Sequence, residues 1–301
     1  MKKKIWTVPD NGSASVEEAG RAVLITGSNG DFGSATVREF ARAGWRVVAA
    51  MREPRTRNQE SARALEAEFP GKVRAVPLDV TNGRSVSAAV KNVIRHEGRI
   101  DVLVNNAGRW LWGPFEAQTM QQAKELFETN LFGVVRVTQA VLPVMREQGS
   151  GLIVYISSGL GRVVRPGIAL YAATKFAGEA IAQTLRYELA PFGIDSVIVE
   201  PGAFDTGLFE RSKTEMEWPE IAAEYSKFLV RGAKYGRETD VTLVSGAILE
   251  VAQTPRGKRP MRTAVGMPAV LVREYNKQHA IAQEALLTAA GTADEILTNG
   301  Y

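Results

Sequence analysis

The stretch GLIVYISSGLGRVVRPGIALYAATKFAGEA, Gly151 to Ala180, decides how the rest of this chain is read. Leu152 to Ile156 is a short continuous apolar run, the pattern of a buried strand. A glycine-punctuated turn follows, and a helical pattern begins near Tyr171. Tyr171 and Lys175 lie one helical turn apart, on one face and within side-chain reach. A free phenol titrates near ~10, too high for proton exchange around neutrality. A neighbouring ammonium stabilises the phenolate, so the spacing predicts a lowered Tyr171 pKa and a usable general acid or base. Ser158, at the end of the strand, offers a hydroxyl to the oxygen that exchanges the proton. Taken alone, a Tyr-x-x-x-Lys pair is more often a core tyrosine beside a solvated lysine.

Outward from this stretch, short apolar runs alternate with helical patterns. Strands are expected at Val23–Thr26, Arg46–Ala50, Val73–Leu78, Val102–Val104, Leu152–Ile156 and Ser196–Val199. Helices are expected at Ala35–Ala43, Gln59–Phe69, Val86–Glu97, Gln121–Arg146 and Ala172–Leu189. Right-handed βαβ units follow from that rhythm: an α/β, doubly wound, Rossmann-type parallel sheet with helices on both faces. We place a single domain at 22–301 behind an N-terminal extension, 1–21. The rhythm loosens over 204–237, on the side where such sheets bind ligands, which makes that segment a candidate substrate lid.

Composition narrows the partners. The net charge of +4 over 301 residues is small and its basic residues are scattered among acids, so nucleic-acid binding is not expected. The chain has no cysteine, which excludes thiol chemistry and suits a reducing compartment. His96 and His279 stand apart from any metal-ligand cluster. Three lysines open the chain, but Thr7, Pro9 and Asp10 interrupt the apolar region that a signal peptide needs. No run approaches membrane-spanning length, and a cytoplasmic enzyme acting on a small molecule is the expectation.

TGSNGDFG, Thr26 to Gly33, follows the first strand and opens the first helix. Glycines there let the backbone turn tightly and approach a pyrophosphate, which the helix N-terminus attracts. A glycine-rich turn can also be a close strand–helix junction and nothing more; its place after the first strand favours dinucleotide binding.

With these residues in hand the chain resembles the short-chain dehydrogenase/reductase family. The matching marks run from Thr26 to Thr206: the glycine turn, LDV ending at Val80, NNAG from Asn105 to Gly108, and Asn130 in TNLFGV. Ser158, Tyr171 and Lys175 follow, and PGAFDT from Pro201 to Thr206 closes the set. The resemblance implies that Tyr171 is the catalytic acid/base, that Lys175 holds the nicotinamide ribose and lowers the tyrosine pKa, and that Ser158 orients the substrate oxygen. It implies a water-linked proton relay supported by Asn130 from a bend in its helix, although an ordinary helix-surface amide is the plainer reading of that residue. Gly27, Ser28, Gly30, Phe32 and Gly33 belong to the implied cofactor turn. The same resemblance implies that Asp79 faces the adenine, although an aspartate there can equally be a turn residue. It implies that Asn105, Ala107 and Gly108 pack under the cofactor, that Thr206 bonds the carboxamide, and that Val80, Asn106, Pro201 and Gly202 belong to the cofactor site.

The glycine turn departs from the family pattern. The standard-length branch carries G-x-x-x-G-x-G, which requires glycine where this chain has Asp31. Gly27, Gly30 and Gly33 instead resemble the spacing of the extended branch, which includes sugar-nucleotide epimerases and dehydratases. Asp31 beside the phosphates repels them unless it turns to solvent or bonds a backbone amide.

After NNAG comes RWLWGPFEA, with Trp110, Trp112 and Phe115; the lid adds Phe204, Phe209, Trp218 and Tyr225. Any one of these aromatics can be core. Clustered in two loops that converge on the nicotinamide, they point to an apolar or aromatic substrate. The leading expectation is a nicotinamide-dependent oxidoreductase interconverting a ketone or aldehyde and its alcohol. An epimerase or dehydratase that retains its cofactor, and a non-catalytic dinucleotide sensor, are the alternatives. A homodimer or homotetramer is expected through the helices at Gln121–Arg146 and Ala172–Leu189.

For the cofactor, a dinucleotide fold that selects NAD(H) ends its second strand with an acid on the ribose hydroxyls. In AGWRVVAAMRE that position is Met51, and Arg52 follows, placed to pair with the 2′-phosphate of NADP(H). Glu53 is the competing acid, discounted because Pro54 indicates that the strand has ended. NADP(H) is preferred, with NAD(H) possible.

Overall fold

The computed structural model describes residues 20–208, 218–221, 223–225, 238–266 and 269–289. Its centre is a seven-stranded sheet in the order β3-β2-β1-β4-β5-β6-β7, with every neighbouring pair parallel. The strands are β1 Ala22–Thr26, β2 Arg46–Met51, β3 Val73–Pro77, β4 Val102–Asn105, β5 Gly151–Ile156, β6 Ile194–Pro201 and β7 Arg262–Val265. A parallel sheet is covered on both faces, so its inner strands are apolar throughout rather than alternating. All five residues of β1, AVLIT, are buried. Val23 and Ile25 enter one face of the core with Phe40, Val244 and Ile248. Leu24 enters the other with Val86, Val90, Val137 and Val141.

The helices are α1 Asp31–Arg42, α2 Gln59–Glu68, α3 Gly83–Glu97, α4 Met120–Phe127, α5 Gly133–Gln148, α6 Ala169–Leu189, α7 Thr242–Gln253 and α8 Ala269–Ala289. Their ends carry ordinary signals. Asn82 caps α3 by accepting from the amides of Arg84 and Ser85 at 3.0 Å each. Gly98 then ends α3 with a φ of 70°.

Besides α7 and α8, which lie beyond the helices expected, two elements differ from the sequence reading. The helix expected over Gln121–Arg146 is two helices, α4 and α5, joined by a π turn at Glu128–Phe132. The π turn seats Gly133 against Val80, where a Cβ would stand 2.8 Å from Val80 Cγ2. It also turns Asn130 inward, as single π turns at functional positions commonly do. The second difference is β7, a seventh strand beyond the six expected. Its four residues are only partly buried, so they lack the continuous apolar run that announces the inner strands.

The order reverses between β1 and β4, where the connections leave in opposite directions and open a crevice at the carboxyl ends of the strands. The glycine turn leaves β1 on one side of it, and NNAG leaves β4 on the other. Residues 1–19, which hold nearly all of the expected extension, lie outside the described residues, as does most of the expected lid.

Candidate functional site

Thr26 joins the two sides of the crevice. Its hydroxyl accepts from the amides of Asn106 and Ala107, both at 3.0 Å. Asn106 Nδ2 returns bonds to the carbonyls of Thr26 at 2.9 Å and Gly27 at 3.1 Å. The turn is therefore propped from below by NNAG. Gly27 has φ +67° with Ala107 Cα at 2.9 Å from where a Cβ would lie, and a Cβ on Gly33 would meet Gly27 O at 2.3 Å. Gly30 is different: its nearest neighbour would be 3.5 Å away, an ordinary contact. The structure thus requires glycine at 27 and 33 but not at 30, and the unusual glycine spacing carries little weight.

Gly30 is the N-cap of α1, and no side chain caps that helix. A helix N-terminus without a side-chain cap suits a dinucleotide's pyrophosphate. Asp31, the residue at odds with such an anion, takes one of the two escapes open to it: Oδ2 accepts the amide of Gly207 at 3.0 Å. Ser28 is fully buried and donates to Ile25 O at 2.8 Å, so its side chain closes the strand end. Asp79 Oδ1 accepts from the Thr81 amide at 3.0 Å and its hydroxyl at 2.8 Å, an Asx turn. Val80 is buried against Gly133, and the Gly202 amide bonds Val265 O at 2.8 Å.

β2 ends at Met51, whose side chain lies in the core. Arg52 follows, exposed, with no side-chain partner among the described residues. Its carbonyl accepts Asn58 Nδ2 at 2.6 Å, and Asn58 Oδ1 accepts Asn29 Nδ2 at 3.1 Å. That pair of bonds clips the Arg52 loop to the glycine turn. Glu53 lies past the strand, with a positive φ of 47°.

At the carboxyl end of β5, Ser158, Tyr171 and Lys175 come together, all buried. The Ser158 hydroxyl lies close enough to the Tyr171 phenol to favour its ionised form. Lys175 Nζ donates to Ile156 O at 2.8 Å and stands 5.8 Å from the centroid of the Tyr171 ring. Asn130 is tied into the same region: Oδ1 accepts the Arg109 amide at 2.7 Å. Its Nδ2 donates to Arg109 O at 2.9 Å and Thr174 Oγ1 at 3.2 Å. The π turn therefore delivers Asn130 to the base of the Tyr171 helix, where it fastens the loop after NNAG.

The electrostatics correct one expectation. Burial pushes the Tyr171 phenol up to about 12, with the Ser158 hydroxyl pulling the other way, rather than below 10 as the lysine spacing implies. Burial also lowers Lys175, to about 8, against the field of Glu179. Around neutrality the protein therefore holds a protonated phenol beside an ammonium.

Trp110 lies on Tyr171 with ring centroids 4.4 Å apart. Leu111, Leu126 and Ile168 pack with them, and Trp112 and Leu208 border the cluster. Phe204 is not part of it: its ring packs edge-on to Phe32 at 5.3 Å, in the main core. Thr206 is partly buried in the loop beyond Phe204. Phe209 lies outside the described residues. Trp218 and Tyr225 are exposed. The sequence reading overlooks the charged cluster behind Lys175, formed by Glu179, Glu200, Arg162 and Arg262. Only the position of Glu179, one turn past Lys175, hints at it. Among the described residues no group of acids and histidines is arranged to hold a metal, and no helix is long and apolar enough to cross a membrane.

A doubly wound sheet with a propped glycine turn, and a Tyr–Lys pair at the end of β5, defines a dinucleotide-dependent oxidoreductase. The short chain dehydrogenase family model matches residues 21–217, and the chain belongs to that family. It is 34% identical over 249 residues to a 3-ketodihydrosphingosine reductase of Bacteroides thetaiotaomicron, spanning 81% of this chain and 87% of that one. A short-chain dehydrogenase from Streptomyces avermitilis superposes with a TM-score of 0.72 at 37% identity, covering 92% of this chain and 98% of that one. A gluconate 5-dehydrogenase from Burkholderia cenocepacia, in complex with NADP and tartrate, has a TM-score of 0.63 at 33% identity and covers 76% of this chain and 86% of its own. Another solved neighbour holds NADH, so relatives use both nicotinamide dinucleotides.

Proposed function

We propose that this enzyme reduces a ketone or aldehyde, or oxidises the corresponding alcohol, on an apolar or aromatic substrate, with NADP(H) preferred over NAD(H). The observation that carries the reading is Tyr171, with the Ser158 hydroxyl near its phenol, beside Lys175 and walled by Trp110 and its apolar neighbours. The bound nicotinamide supplies or accepts the hydride. Gly27, Gly33 and the first-turn amides of α1 hold the pyrophosphate, and Asn106 and Ala107 support the turn. Ser158 and Tyr171 grip the substrate oxygen, and the phenol, protonated at neutrality, gives it a proton as the carbonyl is reduced. The Lys175 ammonium stabilises the phenolate left behind, and Asn130 holds the helix and loop that frame the site.

Apolar walls support the substrate class. Leu208, in the loop beyond β6, reaches the Trp110 cluster. The relative named a 3-ketodihydrosphingosine reductase is consistent with a ketone substrate. Arg52 supports NADP(H), since it follows a strand that ends in methionine and is clipped beside the glycine turn. The epimerase alternative rests on glycine spacing, and Gly30 gives it no structural footing.

The test is a panel of ketones and aldehydes of graded apolar size with NADPH and NADH, followed by nicotinamide absorbance. Tyr171→Phe is expected to lower turnover roughly 10²–10⁴-fold while leaving dinucleotide affinity within about twofold. A near wild-type rate on the preferred substrate would sink the mechanism.

A further inference from the structure

We infer that Glu179 is the positioning residue that keeps Lys175 charged, and that it ties the catalytic pair to the C-terminal helix α8 through a buried cluster of ions. The inference rests on the oxidoreductase reading for its importance, but not for its measurement. Glu179 follows Lys175 by one turn of α6, and its side chain is buried. Ser157, the neighbour of Ser158, donates to Glu179 Oε1 at 2.6 Å. Arg262 Nε of β7 approaches Oε2 at 3.3 Å, and Arg162 NH1 approaches it at 3.6 Å. There is no slack in this arrangement: a Cβ on Gly161 would lie 2.5 Å from both Glu179 Oε1 and Ser157 Oγ. The carboxylate is thus built into the loop that carries Ser158.

The same two guanidiniums serve a second buried acid, Glu200 of β6, at 3.4 Å from Arg262 and 4.0 Å from Arg162. From α8, Asn276 donates to Glu200 Oε2 at 2.6 Å and accepts from Arg162 Nε at 2.9 Å. Tyr275 lies under the Arg162 guanidinium at 4.6 Å. His279 and Arg262 share Gln183 Oε1, at 3.1 and 2.9 Å. Burial raises both acids, Glu200 to about 7, and the two guanidiniums pull them back toward their charged forms. Facing Lys175 are Ile156 O, the rings of Tyr155 and Tyr171, and Glu179, whose field holds the ammonium proton on against burial.

Stability alone gives little reason for such a cluster, because apolar replacements of buried ion pairs are often neutral or better. An apolar replacement could not hold the proton on Lys175. If the Glu179 carboxylate is neutralised, a negative charge one helical turn from Lys175 is lost and Lys175 releases its proton more easily.

The test uses full-length protein labelled with ¹³Cε-lysine, without cofactor, the Lys175 resonance being identified by its loss in Lys175→Met. In Glu179→Gln the Lys175 midpoint is expected to fall by about one pH unit, with the alkaline limb of kcat/KM moving the same way. Glu179→Asp, which keeps the charge, should leave the midpoint near its wild-type value. Asn276→Leu, made on the outer helix, should lower it by less and keeps the experiment readable if the Glu179→Gln protein does not fold. An unchanged midpoint in a folded Glu179→Gln or Asn276→Leu protein overturns the inference, even if melting temperature drops, since that is what a purely structural cluster would give. The midpoint is read without substrate, so a protein that reduces no carbonyl but shows the shift fails only the oxidoreductase reading.

Discussion

Gly33→Ala and Gly30→Ala give opposite outcomes if the turn is built as described. A Cβ at 33 would stand 2.3 Å from Gly27 O, 2.8 Å from Asn106 Nδ2 and 2.9 Å from Ser28 Cα. Two of those atoms are backbone, and the Asn106 amide is already committed to Thr26 O and Gly27 O. Relief requires the turn to open. Overpacking of this kind costs about 1–3 kcal/mol, and the two displaced Asn106 bonds add about 1 kcal/mol each. The sum, roughly 3–5 kcal/mol, lowers the melting temperature by roughly 6–20 °C at about 2–4 °C per kcal/mol for a chain of this size. At Gly30 the nearest atom would be 3.5 Å away and φ is −87°, a conformation any residue adopts. Only the N-cap preference for glycine over alanine is lost, about 1 kcal/mol or less. Circular dichroism melts of the cofactor-free proteins measure the first quantity, and NADPH fluorescence titration measures whether the opened turn still binds. Equal losses at the two positions, or a larger loss at 30, would refute the account of the turn and restore the extended-branch spacing.

Arg52→Ala should weaken NADP(H) by roughly 10–100-fold, the worth of a charge-assisted bond of about 1.5–3 kcal/mol, and leave NAD(H) nearly unchanged. Fluorescence titration with both dinucleotides checks it, and equal losses contradict it. Lys175 has a folded-state pKa of about 8, below its ordinary value of 10.5, so between those values the unfolded chain binds more protons and stability rises with pH. Lys175→Met should flatten that rise in denaturant titrations run from about pH 7 to 10. Tyr171 acts with the opposite sign, its raised pKa making stability fall as pH climbs above 10. Met120, Phe132 and Phe176 expose 71%, 50% and 37% of their surface on α4, the π turn and α6. Cover by a second copy predicts a dimer or tetramer in sedimentation at micromolar concentration, and monomer alone would defeat it.

The inner strands and the order of the motifs are legible because each is a local signal. A continuous apolar run, a glycine turn and a one-turn spacing can be read without knowing what lies across the fold. What escapes is set by partners far away in sequence. β7 is a strand because β6 lies beside it, and RTAV alone carries too little hydrophobicity to say so. The π turn follows from Asn130 reaching Arg109 and Gly133 reaching Val80, neither visible in a helical period. The tyrosine pKa eludes the sequence for a related reason. Spacing sets the distance to a lysine but not the depth of burial, and burial is the larger effect at Tyr171. Phe204 shows the same limit, since its packing on Phe32 and Gly266 cannot be inferred from its place in a loop.

The bond from Asp31 to Gly207 joins residues 176 positions apart, and this gives the glycine turn a timetable. At about 5–20 residues per second, the ribosome needs roughly 9–35 s to reach Gly207 after Asp31 has been made. During that interval β1, the turn and α1 are already synthesised, while the amide that draws the Asp31 carboxylate aside does not yet exist. The nascent chain therefore presents the turn with this bond still missing. That contact is therefore completed only once the strand β6 and the loop beyond it have been added, late in the synthesis of the protein.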